Sequence, residues 1–273
     1  MRENLVHALA WIAAASTLAV IVAGAIVTNS LTNSLAMPST PGFAGLFSRA
    51  GHQHAAEAVG VLVMVLAIGA WLCGKESPAR RWAWVPLVLV IAQIGLGHAA
   101  GKSAAMISLL HAFLAPILLA SIAALGLASS PAWRRSPVML QDKGWPPMRG
   151  FARITFLMVV LQALLGAAFR HGALGVMPHI VGALVVAILL LILVICITQM
   201  PGEALLKPAA ISMLVMAAVQ IFLGLTVISM NDKTMAQIAG LIVSTAHVAL
   251  GALTLAVGAV VAIEARCCAR PQA

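Results

Sequence analysis

Apolar runs of about 20 residues, the length at which a helix crosses a ~30 Å hydrocarbon core, follow one another along this chain with short polar breaks between them. Eight can be marked off, at 5–28, 53–73, 82–101, 105–128, 150–170, 175–198, 208–230 and 238–263. The pattern predicts an all-α integral membrane protein. It also repeats. A Gln, then a Gly four residues on, a turn, and a His near the start of the next helix occur as Gln93, Gly97 and His111, as Gln162, Gly166 and His179, and as Gln220, Gly224 and His247. A copy without the Gln runs from Gly24 to His54. Four helical hairpins, each setting one histidine at the same height, make two repeated four-helix bundles. The expected division is 1–128 and 150–273, joined by a Pro-, Arg- and Trp-rich linker over 129–149.

Composition narrows the class. Of 273 residues, 62% are hydrophobic, 8% are charged and none is tyrosine, too little polar surface for a soluble globule. The net charge of +9 then needs no nucleic acid to explain it, because Lys and Arg gather in cytoplasmic loops. Arg2, Lys75, Arg80, Arg81, Arg134, Arg135, Lys143, Arg149, Arg153, Lys207, Arg266 and Arg270 fall on one side of the predicted spans; Arg49, Lys102, Arg170 and Lys233 fall on the other. Both termini are expected in the cytoplasm of a cell whose inner (plasma) membrane holds the protein, with the repeat histidines near the outer face. Cys73, Cys196, Cys267 and Cys268 lie on the reducing side, and no structural disulfide is expected. The first apolar run is too long for a signal-peptide core and is read as a retained span. The longest outer loop, Asn29 to Gly51, is positioned to cover something bound beneath it.

Imidazole is tolerated in lipid when neutral and binds iron, and membrane haem proteins hold haem between histidines of facing helices. One pair per half, His54 with His111 and His179 with His247, gives two candidate metal sites, with His52 as the alternative to His54. The residues one turn on, Ala58, Ala115, Ala183 and Gly251, are small and leave room beside each ring. The competing reading is that such histidines hydrogen-bond between helices. Glu57, a carboxylate well inside a predicted span, is a candidate catalytic acid or else a protonated group bonded to a neighbouring helix. Arg170 is a candidate partner for a carboxylate-bearing cofactor or else a solvated loop charge.

The motifs GAIVTNS at Gly24–Ser30, GAAFRHG at Gly166–Gly172, and QIGLG, QALLG and QIFLG resemble those of the haem A synthase family, over nearly the whole chain. These membrane enzymes oxidise a methyl group of haem O to the formyl of haem A for cytochrome oxidase assembly. The resemblance implies haem b on His179 and His247, and haem O or haem A as substrate or product facing His54 and His111. It also implies partnership with haem O synthase or other respiratory-chain proteins. Gly51 and Ala55 stand where family members typically carry Glu and Arg around the first histidine, and Ile180 replaces the Arg after the third. The rival expectation keeps the haems without the oxidation: a b-type membrane cytochrome that transfers electrons or serves in a respiratory assembly.

Overall fold

A computed structural model describes residues 2–32, 45, 47–100, 105–131, 140–141, 147–200, 206–230 and 234–270. Most of the covering loop, much of the linker, and Lys102, Arg134, Arg135, Lys143 and Lys233 lie outside the described residues. The helices are α1 (Arg2–Thr32), α2 (Arg49–Trp71), α3 (Pro78–Trp82), α4 (Trp84–Ala100), α5 (Ala105–Ala128), α6 (Met148–Arg170), α7 (Val176–Gln199), α8 (Leu206–Ser229) and α9 (Thr234–Cys268). Eight helical segments are long and apolar enough to cross a membrane, α3 and α4 counting as one, with mean hydropathies from 1.7 to 3.6. The chain is an all-α multi-pass membrane protein. Helices are what lipid permits, since each backbone N–H and C=O is satisfied within its own segment. Strand structure among the described residues is limited to a parallel contact of β1 (Leu140–Gln141) with β2 (Ala269–Arg270).

Local chemistry sets the helix ends that matter for the site. The Ser48 hydroxyl accepts from the Gly51 backbone N–H at 3.0 Å, so α2 starts four residues before the apolar run does. At the end of α6 the chain reverses through Gly172, whose φ of 71° is the left-handed conformation that a side chain disfavours. There Ala173 N–H donates to the Ala168 carbonyl at 2.8 Å, closing the last turn of the helix. Pro178 then sits in the first turn of α7, where a missing N–H costs nothing.

Each half is a ring of four helices. Contacts run α1–α2, α2–α4, α4–α5 and α5–α1 in the first half, and α6–α7, α7–α8, α8–α9 and α9–α6 in the second. The ring order sets α2 diagonally across from α5, and α7 across from α9. The halves join where α9 packs on both α5 and α1, and where α5 meets α6. From Leu118 to Ala128 every residue of α5 is buried, which makes this helix part of a shared spine. Outward faces carry exposed Val61, Val88, Ile91, Leu184, Phe222 and Ile242, as a lipid-facing surface should.

Small residues allow the close approach that holds helices together in lipid, where burial of apolar area gives no net drive. A β-carbon on Gly258 of α9 would lie 2.8 Å from Met213 Cε of α8 and 3.4 Å from Phe156 Cδ2 of α6, whereas one on Gly95 of α4 would meet nothing within 4 Å. Gly258→Leu is therefore expected to cost about 1–3 kcal/mol by overpacking and to lower the melting temperature in detergent. Gly95→Ala should leave that temperature unchanged or raise it, by up to about 1 kcal/mol of helix propensity.

Candidate metal centres

Two histidine pairs face one another across the diagonals of the two rings. The rings of His52 and His111 lie with centroids 6.4 Å apart and planes crossed at 87°; those of His179 and His247 lie 6.2 Å apart, crossed at 79°. His52, rather than His54, meets His111, and the reason is helical phase. With α2 started by Ser48, His52 continues the buried stripe of Val59, Val63, Leu66 and Ala70, spaced at whole turns below it. His54 belongs to the opposite stripe, with exposed Val61, Val65 and Ile68. Its side chain is 80% exposed, and its Nδ1 lies 3.4 Å from Glu57 Oε2, on a side chain that is 55% exposed. Glu57 thus points away from the His52–His111 pair. The small residue one turn below the inward histidine is Ala56 in place of Ala58.

Each of the four rings rests on a glycine of the preceding span. A β-carbon on Gly24, Gly97, Gly166 or Gly224 would stand 2.8, 3.2, 2.9 or 3.2 Å from Cε1 of His52, His111, His179 or His247 respectively. Any side chain there displaces the imidazole. The glutamines act at the same level: Gln93 Nε2 donates to the His111 carbonyl at 3.0 Å, and Gln162 Nε2 to the His179 carbonyl at 2.9 Å. Gln220 instead lies along α9 in the space left by Gly251. Its backbone carbonyl accepts from His247 Nδ1 at 3.1 Å. The other three rings differ: Nδ1 of His179 lies 3.0 Å from the amide donor Gln162 Nε2. Nδ1 of His52 and of His111 is buried without a partner among the described residues.

At His247 the arrangement suits a ligating role. A carbonyl can only accept, so its bond to His247 fixes the proton on Nδ1 and leaves the Nε2 lone pair free for a metal, with the ring orientation held from behind. Two imidazoles on opposite faces of one metal ion, at bond lengths of about 2.0–2.1 Å, hold their ring centres about 6.3 Å apart, which is the spacing of both pairs. Among the described residues no three His, Cys, Asp or Glu side chains converge on a common point. The donor set therefore suits a metal whose remaining positions are filled by a planar ligand of its own.

Between the halves, Arg170 at the end of α6 reaches α1: its Nη2 donates to the Ala25 carbonyl at 3.1 Å and to Asn29 Oδ1 at 2.9 Å. The Asn29 amide passes the chain of bonds to α9, donating to Ser244 Oγ at 2.7 Å and Thr245 Oγ1 at 3.3 Å. The guanidinium lies within electrostatic reach of His247, and His171 within that of His111. Burial, followed by the positive charge of Arg170, pushes the His171 imidazole below its ordinary pKa.

Of the residues singled out from the sequence, His111, His179 and His247 come together as pairs with His52, and Arg170 bonds to α1 within electrostatic reach of His247. His54 and Glu57 lie on the outer face of α2. The glycine cradle was visible as the repeated Gln–Gly spacing, but Asn29, Ser244 and Thr245 carried no signal of their own. No protein-family model and no curated protein matches the sequence.

Arg170 donates two hydrogen bonds that tie α6 to α1, so Arg170→Leu should cost about 1–3 kcal/mol by leaving buried acceptors without their donor. A lowered melting temperature in detergent, with Arg170→Lys falling between wild type and the leucine variant, is the expected result.

Proposed function

We infer that the chain is a membrane haem protein of the haem A synthase type, holding one iron porphyrin between His52 and His111 and another between His179 and His247. The observation that carries this reading is the pair of crossed imidazole couples, each ring backed by a glycine, at the spacing that a single axial metal requires. Bound there, iron porphyrin would supply one-electron chemistry that no side chain of this protein offers. The chain's own part would be to hold the ring nitrogens and the tautomer of His247, to leave room with the small residues below each ring, and to set a guanidinium near His247. Among the described residues Arg170 bonds through Nη2, and its other N–H groups suit a porphyrin carboxylate.

In the synthase reading the first pair faces haem O, whose methyl group is oxidised to the formyl of haem A, and the second pair holds haem b, through which electrons leave. Arg2, Arg80, Arg81, Arg149, Arg153, Lys207 and Arg266, at the end of the bundle opposite the histidines, support cytoplasmic termini in an inner (plasma) membrane. One observation favours the second reading, a b-type cytochrome that only transfers electrons. Glu57 faces away from His52 and His111, so the described residues bring no carboxylate to the first site to take up a substrate proton.

The experiment is expression with a source of haem O, followed by purification, quantification and extraction of the bound haems. Two haems per chain are expected. His52→Ala and His247→Ala should each lose one, and His54→Ala none. Haem A among the extracted products identifies the synthase; haem b alone identifies the cytochrome. A haem-free wild-type protein, or loss of haem on removing His54 with none on removing His52, overturns the assignment.

A further inference from the structure

His54 and Glu57 have no role in the histidine pairs, yet they are costly where they stand. Glu57 follows Arg49, the first residue of α2, by eight positions, about 12 Å down the helix axis, on a face whose next exposed residues are Val61, Met64 and Val65. A carboxylate facing hydrocarbon costs several kcal/mol unless something satisfies it, and its bond to His54 satisfies it only in part. The second half provides an internal control. Measured from its inward ring, His52, the two residues stand at the second and fifth positions; measured from His179 in the equivalent helix α7, those positions are Val181 and Leu184, 55% and 62% exposed. The same fold meets the same lipid there with plain hydrocarbon, so neither packing nor insertion demands a polar pair.

What distinguishes α2 is an exposed polar couple, reachable from within the bilayer, two residues along the backbone from a ring of the first metal centre. We propose that His54 and Glu57 form a docking site on the lipid-facing side of α2 for a membrane-soluble quinone, the redox partner of the site between His52 and His111. The proposal rests on the haem reading. The His54 ring, oriented by its bond to the Glu57 carboxylate, presents its other nitrogen to a quinone oxygen, while the isoprenoid tail lies along Val61, Val65 and Ile68. Reduction of the quinone takes two electrons and two protons. Two ferrous porphyrins, if bound, would supply one electron each; His54 and Glu57 pass two protons from water at the membrane surface to the quinone oxygens, so that quinol leaves into the bilayer.

The test uses the full-length protein in detergent, reduced and freed of reductant, mixed anaerobically with a short-chain quinone while the haem bands are followed. The variant His54→Val with Glu57→Leu reproduces the surface of the second half. It should keep its haem content and its oxidation by ferricyanide, and slow oxidation by quinone about tenfold or more, as loss of a charge-assisted hydrogen bond would. Unchanged quinone kinetics overturn the proposal, as does a change of oligomeric state with those kinetics intact, which would assign the patch to self-association. A photoreactive quinone separates this inference from the haem reading. Labelling of α2 in wild type but not in the variant, on a chain that binds no haem, would sink the haem assignment and keep the quinone site; absence of labelling sinks the site.

Discussion

Everything at the histidine end depends on an imidazole lying against a glycine of the neighbouring helix. The contact is possible only because the glycine has no β-carbon, and it occurs four times with the same partner atoms. It fixes how deep each ring sits, since a helix that slid along its neighbour would drive the ring into a side chain. It also fixes which edge of the ring meets the neighbouring helix, Cε1 in all four copies. Two such contacts in one half bring two rings together edge to face, with centroids 6.2 to 6.4 Å apart. The glutamines reinforce the same register by tying the histidine's own backbone to the preceding span in two of the four copies.

Much of this was legible beforehand because the controlling features are periodic. Eight apolar runs determine eight spans, the Gln–Gly–His spacing determines which helices pair, and basic residues mark one end of the bundle. The sequence alone left the choice between His52 and His54 open, because the apolar run at 53–73 places His52 outside the predicted helix. The Ser48 cap starts α2 at Arg49, so His52 lies within the helix and in phase with the buried stripe. The clasp of Arg170 with Asn29 and Thr245 was hidden for a different reason: its members lie far apart in the sequence and are small or common residue types whose partners only the packing of α1, α6 and α9 reveals.

The two halves are alike in their ring contacts and their glycine cradles, and unlike in three respects. The first lacks the glutamine in its opening copy, where Val20 stands. It alone carries an ionisable couple on its lipid face. The second contributes the guanidinium, which crosses to α1 and so belongs to both. Equivalent frames thus sit in unequal surroundings, one beside a guanidinium and one with a polar couple on its outer face.

The buried run at the end of α5 has a consequence for how the protein is made. Its eleven small and aliphatic residues, Leu118 to Ala128, belong to a helix that packs on α1, α4 and α9, of which α9 is the last to be made. During synthesis α5 enters the bilayer long before α9 has been translated, and for that interval its surface must be shielded by lipid, by the insertion machinery or by a provisional neighbour. Assembly of the spine is therefore a late event, and a ribosome that stalls before α9 leaves a fragment with its central seam open.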